Sequence, residues 1–243
     1  MTGLSVKIEV PIAETLKELN RIQRQIPFGV ALGLTRTAMA TRVALREEMQ
    51  RVFDRPTPYT LNSMQVTPAK KAALVAAVGF KQFAGKGTPA EKYLAPEIYG
   101  GPRNIKRFER ALAATGRLPG GMALAPASGV QLDAYGNVSR GTITSIISQL
   151  RASSDPMQNQ TVRSRLRARG KRAEYFMLQS ARGGLKPGVY ARHGRSVVPV
   201  FHIIKDPSYR PRFEFHRVAE AKVAAVAAEE IAKGIAQAIA TAR

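Results

Sequence analysis

The sequence predicts an α+β fold: an antiparallel sheet packed by a long N-terminal helix and a C-terminal helix, with a loop-rich insertion. Three observations predict it. Apolar residues recur at spacings of three and four near both ends, as Ile12, Leu16, Leu19, Ile22 and Ile26 and again as Ile231, Ile235 and Ile239, the period of a helix with one buried face. Short runs such as "LSVKIEV" and "VVPVFHII" have the alternation or β-branched content of strands. The regular exchange of strand and helix that builds a parallel sheet is missing.

Each element follows from local pattern. In "LSVKIEV", Leu4, Val6, Ile8 and Val10 alternate with Ser5, Lys7 and Glu9, which predicts a half-buried strand. After Pro11 a helical run reaches Ile26, Pro27 interrupts it, and a second run extends from Phe28 to about Val52; together they predict one long helix kinked at Pro27. "DRPTPYTLNS" ends it, because its prolines remove amide donors and push their predecessors away from helix. Met64–Thr67 and Leu74–Phe80, joined by "PAKKAA", predict a hairpin. The Gly- and Pro-punctuated "KQFAGKGTPAEKYLAPEIYGGPR" predicts an exposed loop. Ile105, Phe108 and Leu112 mark a short helix stopped at Gly116, and "LPGGMALAPASG" reads as a further loop. A helix opens near Ser139 with Ile143, Ile146, Ile147 and Leu150 on one face. "AEYFML", the run from Gly188 to Arg192 and "VVPVFHII" predict three strands, and Val218–Ala240 a terminal Ala-rich helix. Residues 1–84 and 173–243 are therefore expected to form the α+β core, and residues 85–172 a loop-rich insertion with short helices and a basic run.

The chain of 243 residues carries 38 Lys+Arg against 17 Asp+Glu, a formal net charge of +21. Such a balance points to anionic partners. With no Cys, thiolate metal sites, disulfides and thiol nucleophiles are excluded. The N-terminus shows no basic region followed by an apolar one, and no stretch reaches the roughly 18 apolar residues of a membrane span, so neither secretion nor insertion is expected.

Enzymatic motifs fail on spacing. "AGKGTPA" invites comparison with a phosphate loop, but Gly79 stands one residue too far from Gly85 and Gly87 occupies the place of the magnesium-binding hydroxyl. His193, His202 and His216 lack an i, i+4 partner of the metal-binding kind, and His202, in strand alternation with Val198, Val200 and Ile204, reads as a packed, hydrogen-bonded residue. Glu47 with Glu48 and Glu229 with Glu230 are adjacent on helices and point in different directions. No catalytic residue, metal site or cofactor is expected.

The strongest polar signal is "RSRLRARGKR", which places Arg163, Arg165, Arg167, Arg169, Lys171 and Arg172 within ten residues. If extended, arginine at every second position forms one stripe facing a phosphate backbone or an acidic protein surface. No aromatic residue interrupts it, so any nucleic-acid contact is expected to be electrostatic and insensitive to sequence.

"FGVALGLTRTAMATRVALREEMQRVF", followed late in the chain by "GVYARHGRSVVPVFHIIKDPSYRPRFEF" and a terminal helix, resembles the tailed-phage minor tail protein Z and related tail-completion families. The resemblance covers Pro27–Val52 and Lys186–Ala240. It implies a non-enzymatic virion structural protein of the head-tail junction (neck) or upper tail, present in the host cytoplasm during assembly. It further implies a homo-oligomeric ring docked to head-tail connector, tail terminator or tail tube proteins, with non-specific contact with packaged DNA and no membrane. On this reading Val198, Val200, Phe201 and Ile203 are sheet residues, Phe213 and Phe215 anchor the last helix, and Arg192, Arg195, Arg210 and Arg212 make rim contacts. A sequence-independent nucleic-acid-binding protein is the alternative.

Overall fold

A computed structural model describes residues 12–82, 87–168 and 172–241. In chain order the elements are α1 (Ile12–Val52), α2 (Pro58–Leu61), β1 (Met64–Thr67), β2 (Ala77–Phe80), α3 (Ala90–Tyr99), β3 (Gly101–Pro102), α4 (Arg107–Ala114), β4 (Met122–Pro126) and α5 (Arg140–Gln149). After a 3-10 turn at Pro156–Gln158 come α6 (Val162–Ala168), β5 (Glu174–Leu178), β6 (Gly188–His193), β7 (Ser196–Lys205), β8 (Ser208–Tyr209) and α7 (Phe215–Ala240). The fold is α+β with antiparallel sheets. The strand expected at Leu4–Val10 lies outside the described residues, as do Gly85, Lys86, Arg169 and Lys171.

The chain divides into two compact units. The first takes its described residues from 12–52, 58–82, 87–91 and 213–241. In it α1 runs unbroken through Pro27 and packs extensively on α7. The contact is set by small residues. A Cβ on Gly29 would meet the Cα of Ile235 at 2.5 Å, and one on Gly33 would meet the Cα of Ile231 at 2.4 Å. From the other side, a Cβ on Gly234 would lie 2.3 Å from the carbonyl oxygen of Gly29. The two backbones therefore touch where any larger side chain would hold them apart. Thr37 and Thr41 are buried on α1, and each hydroxyl donates to the carbonyl four residues earlier, at 2.9 Å in both cases, so no polar group is stranded. The β1–β2 hairpin pairs from Met64↔Phe80 to Thr67↔Ala77 and rests on α1. Phe80 lies 5.5 Å from Phe215, whose ring meets the fully buried Phe213 edge-on. Phe213 and Phe215 thus stand at the entrance to α7.

The second unit comprises Phe53–Thr57 and Lys92–Arg212. Its sheet has the order β4-β7-β6-β5, antiparallel throughout, with a bulge opposite Val189/Tyr190. Register puts Met177, Val189, Phe201 and Leu124 on one face, and these residues join Leu112, Leu118, Ile146 and Leu150 from α4, α5 and their flanks in one apolar core. Ser139 caps α5 by accepting the Thr142 N–H at 3.1 Å. The Gln149 side chain ties α5 to β5, donating to the Ala173 carbonyl at 3.0 Å and accepting from the Tyr175 N–H at 2.7 Å.

Four expectations are corrected. The insertion does not end at Arg172: residues 85–172 supply β4, α4 and α5 to the same core as β5–β7, because their apolar residues are spread thinly along the chain and collected only on folding. Among the described residues the strands of 1–84 and 173–243 do not share a sheet: β1 pairs with β2, and β5–β7 pair with β4. "LPGGMALAPASG" contains β4, whose Ala123 and Leu124 are almost fully buried. The exposed loop expected after Lys81 contains α3, which accommodates Pro96. A proline removes the amide that would bond the carbonyl four residues earlier, and that carbonyl, of Lys92, instead accepts the Asn104 side-chain N–H at 2.9 Å.

Candidate functional site

Charge is unevenly divided between the two units. Residues 53–57 and 92–212 contain 22 Lys+Arg and 7 Asp+Glu, net +15, whereas the rest of the chain contains 16 and 10, net +6. The few carboxylates of the second unit are mostly engaged. Asp54 pairs with Arg55, Glu97 with Arg212, Glu109 with Arg103 and Glu174 with Arg165. Asp133 accepts the N–H groups of Tyr135 and Asn137, and Asp155 that of Met157. Carboxylates therefore offset only a minority of the cations of this unit.

The basic run is not an extended stripe. Val162–Ala168 is helical, so Arg163 and Arg167, four residues apart, share one side of α6 while Arg165 lies on another. Arg165 reaches Glu174 at the start of β5. Glu174 is in register with Arg192 at the end of β6, and the tight turn that follows, with Gly194 at φ +60, carries Arg195 into β7. Arg172 lies between α6 and β5, its N–H donating to the Ala168 carbonyl at 3.2 Å. The fold thus gathers Arg163, Arg165, Arg167, Arg172, Arg192 and Arg195, all exposed, at one corner of the sheet, beside its edge strand β5. Glu174 is the carboxylate within this corner. On the same sheet face Phe176 stacks on Tyr190 with centroids 5.7 Å apart, and the Arg192 guanidinium lies 5.2 Å above the Phe176 ring. Val162 and Leu166 on α6 are also exposed.

The other two arginines expected at the rim are placed differently. Arg212 donates to both oxygens of Glu97, one at 2.9 Å, and lies over the ring of Phe53 at 5.2 Å, so it holds α3 to the segment before α7. Arg210 follows β8 and is exposed.

The buried polar centre of the unit was not foreseen. Glu109 is fully buried, and Arg103 donates to its two oxygens at 2.8 and 2.6 Å. Backbone N–H groups of Lys106 and Leu124 add bonds of 2.8 and 2.9 Å. Burial pushes the Glu109 carboxyl up, but Arg103 and the two amides outweigh it and hold the group below the usual carboxylate range. The signal in the sequence was a Glu at the third position of a helix, where it reaches back to the preceding amide. A cleft of about 220 Å3 nearby is lined by Tyr93, Pro96, Tyr209 and polar residues that include Arg103 and Glu97. Both of those charges are already committed to Glu109 and Arg212.

The histidines stand at the end of β6 (His193), in β7 (His202) and in the first turn of α7 (His216). His202 departs from expectation, because its Nδ1 is buried with no hydrogen-bond partner among the described residues. Among the described residues no group of three or more His, Asp or Glu is disposed to hold a metal ion, and no helix is long and apolar enough to cross a membrane. Comparisons of the chain with protein families, with characterised proteins and with solved structures find no match.

Proposed function

We propose that this chain is a virion structural protein of the head-tail junction or upper tail of a tailed phage, with a tail-completion or connector role, acting by assembly rather than catalysis. The observation that carries the reading is where the resemblance falls. Its two helical stretches, far apart in sequence, pack on each other as α1 and α7 within one unit, as expected if they belong to a common architecture. Apolar side chains left outside that pairing suit contacts between copies. Met39 and Val43, one helical turn apart on α1, are each about half exposed, and Val223 on α7 is exposed as well. In this reading copies of the chain form a ring in the virion that docks to neighbouring connector, terminator or tail tube proteins.

Electron microscopy of the purified protein, alone and mixed with tail tubes, tests the reading. Discrete ring-like assemblies are the expected result, and Met39→Glu with Val43→Glu should abolish them while leaving circular dichroism unchanged. A persistent monomer that binds neither heads nor tails would sink it.

A further inference from the structure

We infer that the basic corner of the second unit binds the phosphate backbone of duplex DNA without reading its base sequence. The inference deepens the virion reading by naming a polyanion and the surface that meets it.

Composition makes the first argument. Six arginines face solvent around Glu174, within a unit of net charge +15. A guanidinium presents a planar fork of donors that matches phosphate oxygens, and its charge does not titrate near neutrality. Two elements present these forks in fixed relation: Arg163 and Arg167 are one turn apart on α6, and Arg192 and Arg195 flank the β6–β7 turn. The anchoring is built in, because Arg165 ties α6 to β5 through Glu174 and Arg192 rests on Phe176.

Aromatic geometry makes the second argument. Base recognition in single strands relies on free ring faces. Phe176 is already engaged by Tyr190 and Arg192, and Tyr175, on the opposite face of β5, packs against the core. Among the described residues the corner therefore offers charge and hydrogen-bond donors but no free ring face, which favours the backbone. A protein partner is less well matched. Val162 and Leu166 are the exposed aliphatic pair on α6, far short of the roughly 20–30 residues a side of a stable protein interface.

Fluorescence anisotropy with the full chain and two duplexes of equal length and unrelated sequence, across a salt series, tests the inference. The two duplexes should bind alike, and log K should fall linearly with log salt. Arg163→Gln with Arg167→Gln, or Arg192→Gln with Arg195→Gln, should each lower the magnitude of the slope by about 2, on the order of 0.9 for each phosphate no longer neutralised. Arg42→Gln with Arg46→Gln removes two exposed charges from α1 and should leave the slope unchanged. Equal losses from the α1 pair and the corner pairs would reduce the effect to net charge and overturn the site. So would a preference between the duplexes, or a larger loss from Val162→Ser with Leu166→Ser, which would mark a docking surface for protein. Rings that ignore DNA would refute this inference and leave the assembly reading standing; a DNA-binding chain that never assembles would do the reverse.

Discussion

The two units of this chain are stabilised internally by opposite means. In the first, α1 and α7 meet backbone to backbone through Gly29, Gly33 and Gly234, and charged groups pair at short range along one helix, Glu229 with Lys233 in solvent and the buried Glu48 with the exposed Arg51. In the second, a sheet and two helices enclose an apolar core, and beside it a fully buried carboxylate is satisfied by a guanidinium and two amides. The first unit excludes volume; the second balances a buried charge. The difference teaches where each unit tolerates change. A methyl group is the dangerous insertion in one, and a missing hydrogen-bond acceptor the dangerous deletion in the other.

The largest effect is expected at Glu109. Replacing it with Ala leaves Arg103, only 13% exposed, without its counter-charge and strands the Lys106 and Leu124 amides. Breaking a buried pair from one side costs about 3–5 kcal/mol. Urea unfolding should show that loss, and hydrogen exchange should place it in β4, α4 and their neighbours while α1 and α7 keep their protection. Loss of protection in α1 and α7 first would remove the distinction between the units.

Gly33→Ala should have the next largest effect, and in the other unit. Alanine favours helix over glycine by about 1 kcal/mol, which alone would stabilise α1. The new Cβ would stand 2.4 Å from the Cα of Ile231, a backbone atom that cannot rotate away, and overpacking of this kind costs about 1–3 kcal/mol. Separating the helices also weakens their packing along both, so a net loss of about 2 kcal/mol is expected. A gain in thermal stability would show that the helices part at little cost.

The smallest effect concerns acid. The Glu109 carboxyl is held below its usual value of about 4.5 in the folded state, so its stabilisation is fully present above that value and is lost as pH falls through the folded pKa. Stability of the second unit should therefore decline below about pH 4.5, and Glu109→Gln should flatten that decline while lowering stability at neutral pH. An unchanged acid limb in the Gln variant would move the sensitivity to the surface carboxylates.

Much of the architecture was legible from residue spacing. The helices α1, α4, α5 and α7 announce themselves by apolar periodicity, β7 by its β-branched run, and β1, β2, β5 and β6 by short apolar or aromatic runs between turn residues. β4 and α3 were hidden by Gly and Pro. β4 exists because β7 offers it a ladder from Met122↔Lys205 to Pro126↔Phe201, and α3 survives Pro96 because Asn104 takes up the carbonyl the proline leaves. In both, the decisive hydrogen bonds come from outside the segment.

The candidate site divides in the same way. The sequence by itself determined the charge excess, the cluster from Arg163 to Arg172 and the lack of an aromatic within it. Only the tertiary structure decided that α6 is a helix splitting Arg165 from Arg163 and Arg167, and that β5–β6 register sets Glu174 beside Arg192. It also decided that Glu109, a charged residue in an amphipathic segment, would be fully buried. Periodicity along a chain reports which face of an element is buried. Which charges meet depends on pairings between residues distant in sequence, and those are chosen by the packing of the whole unit.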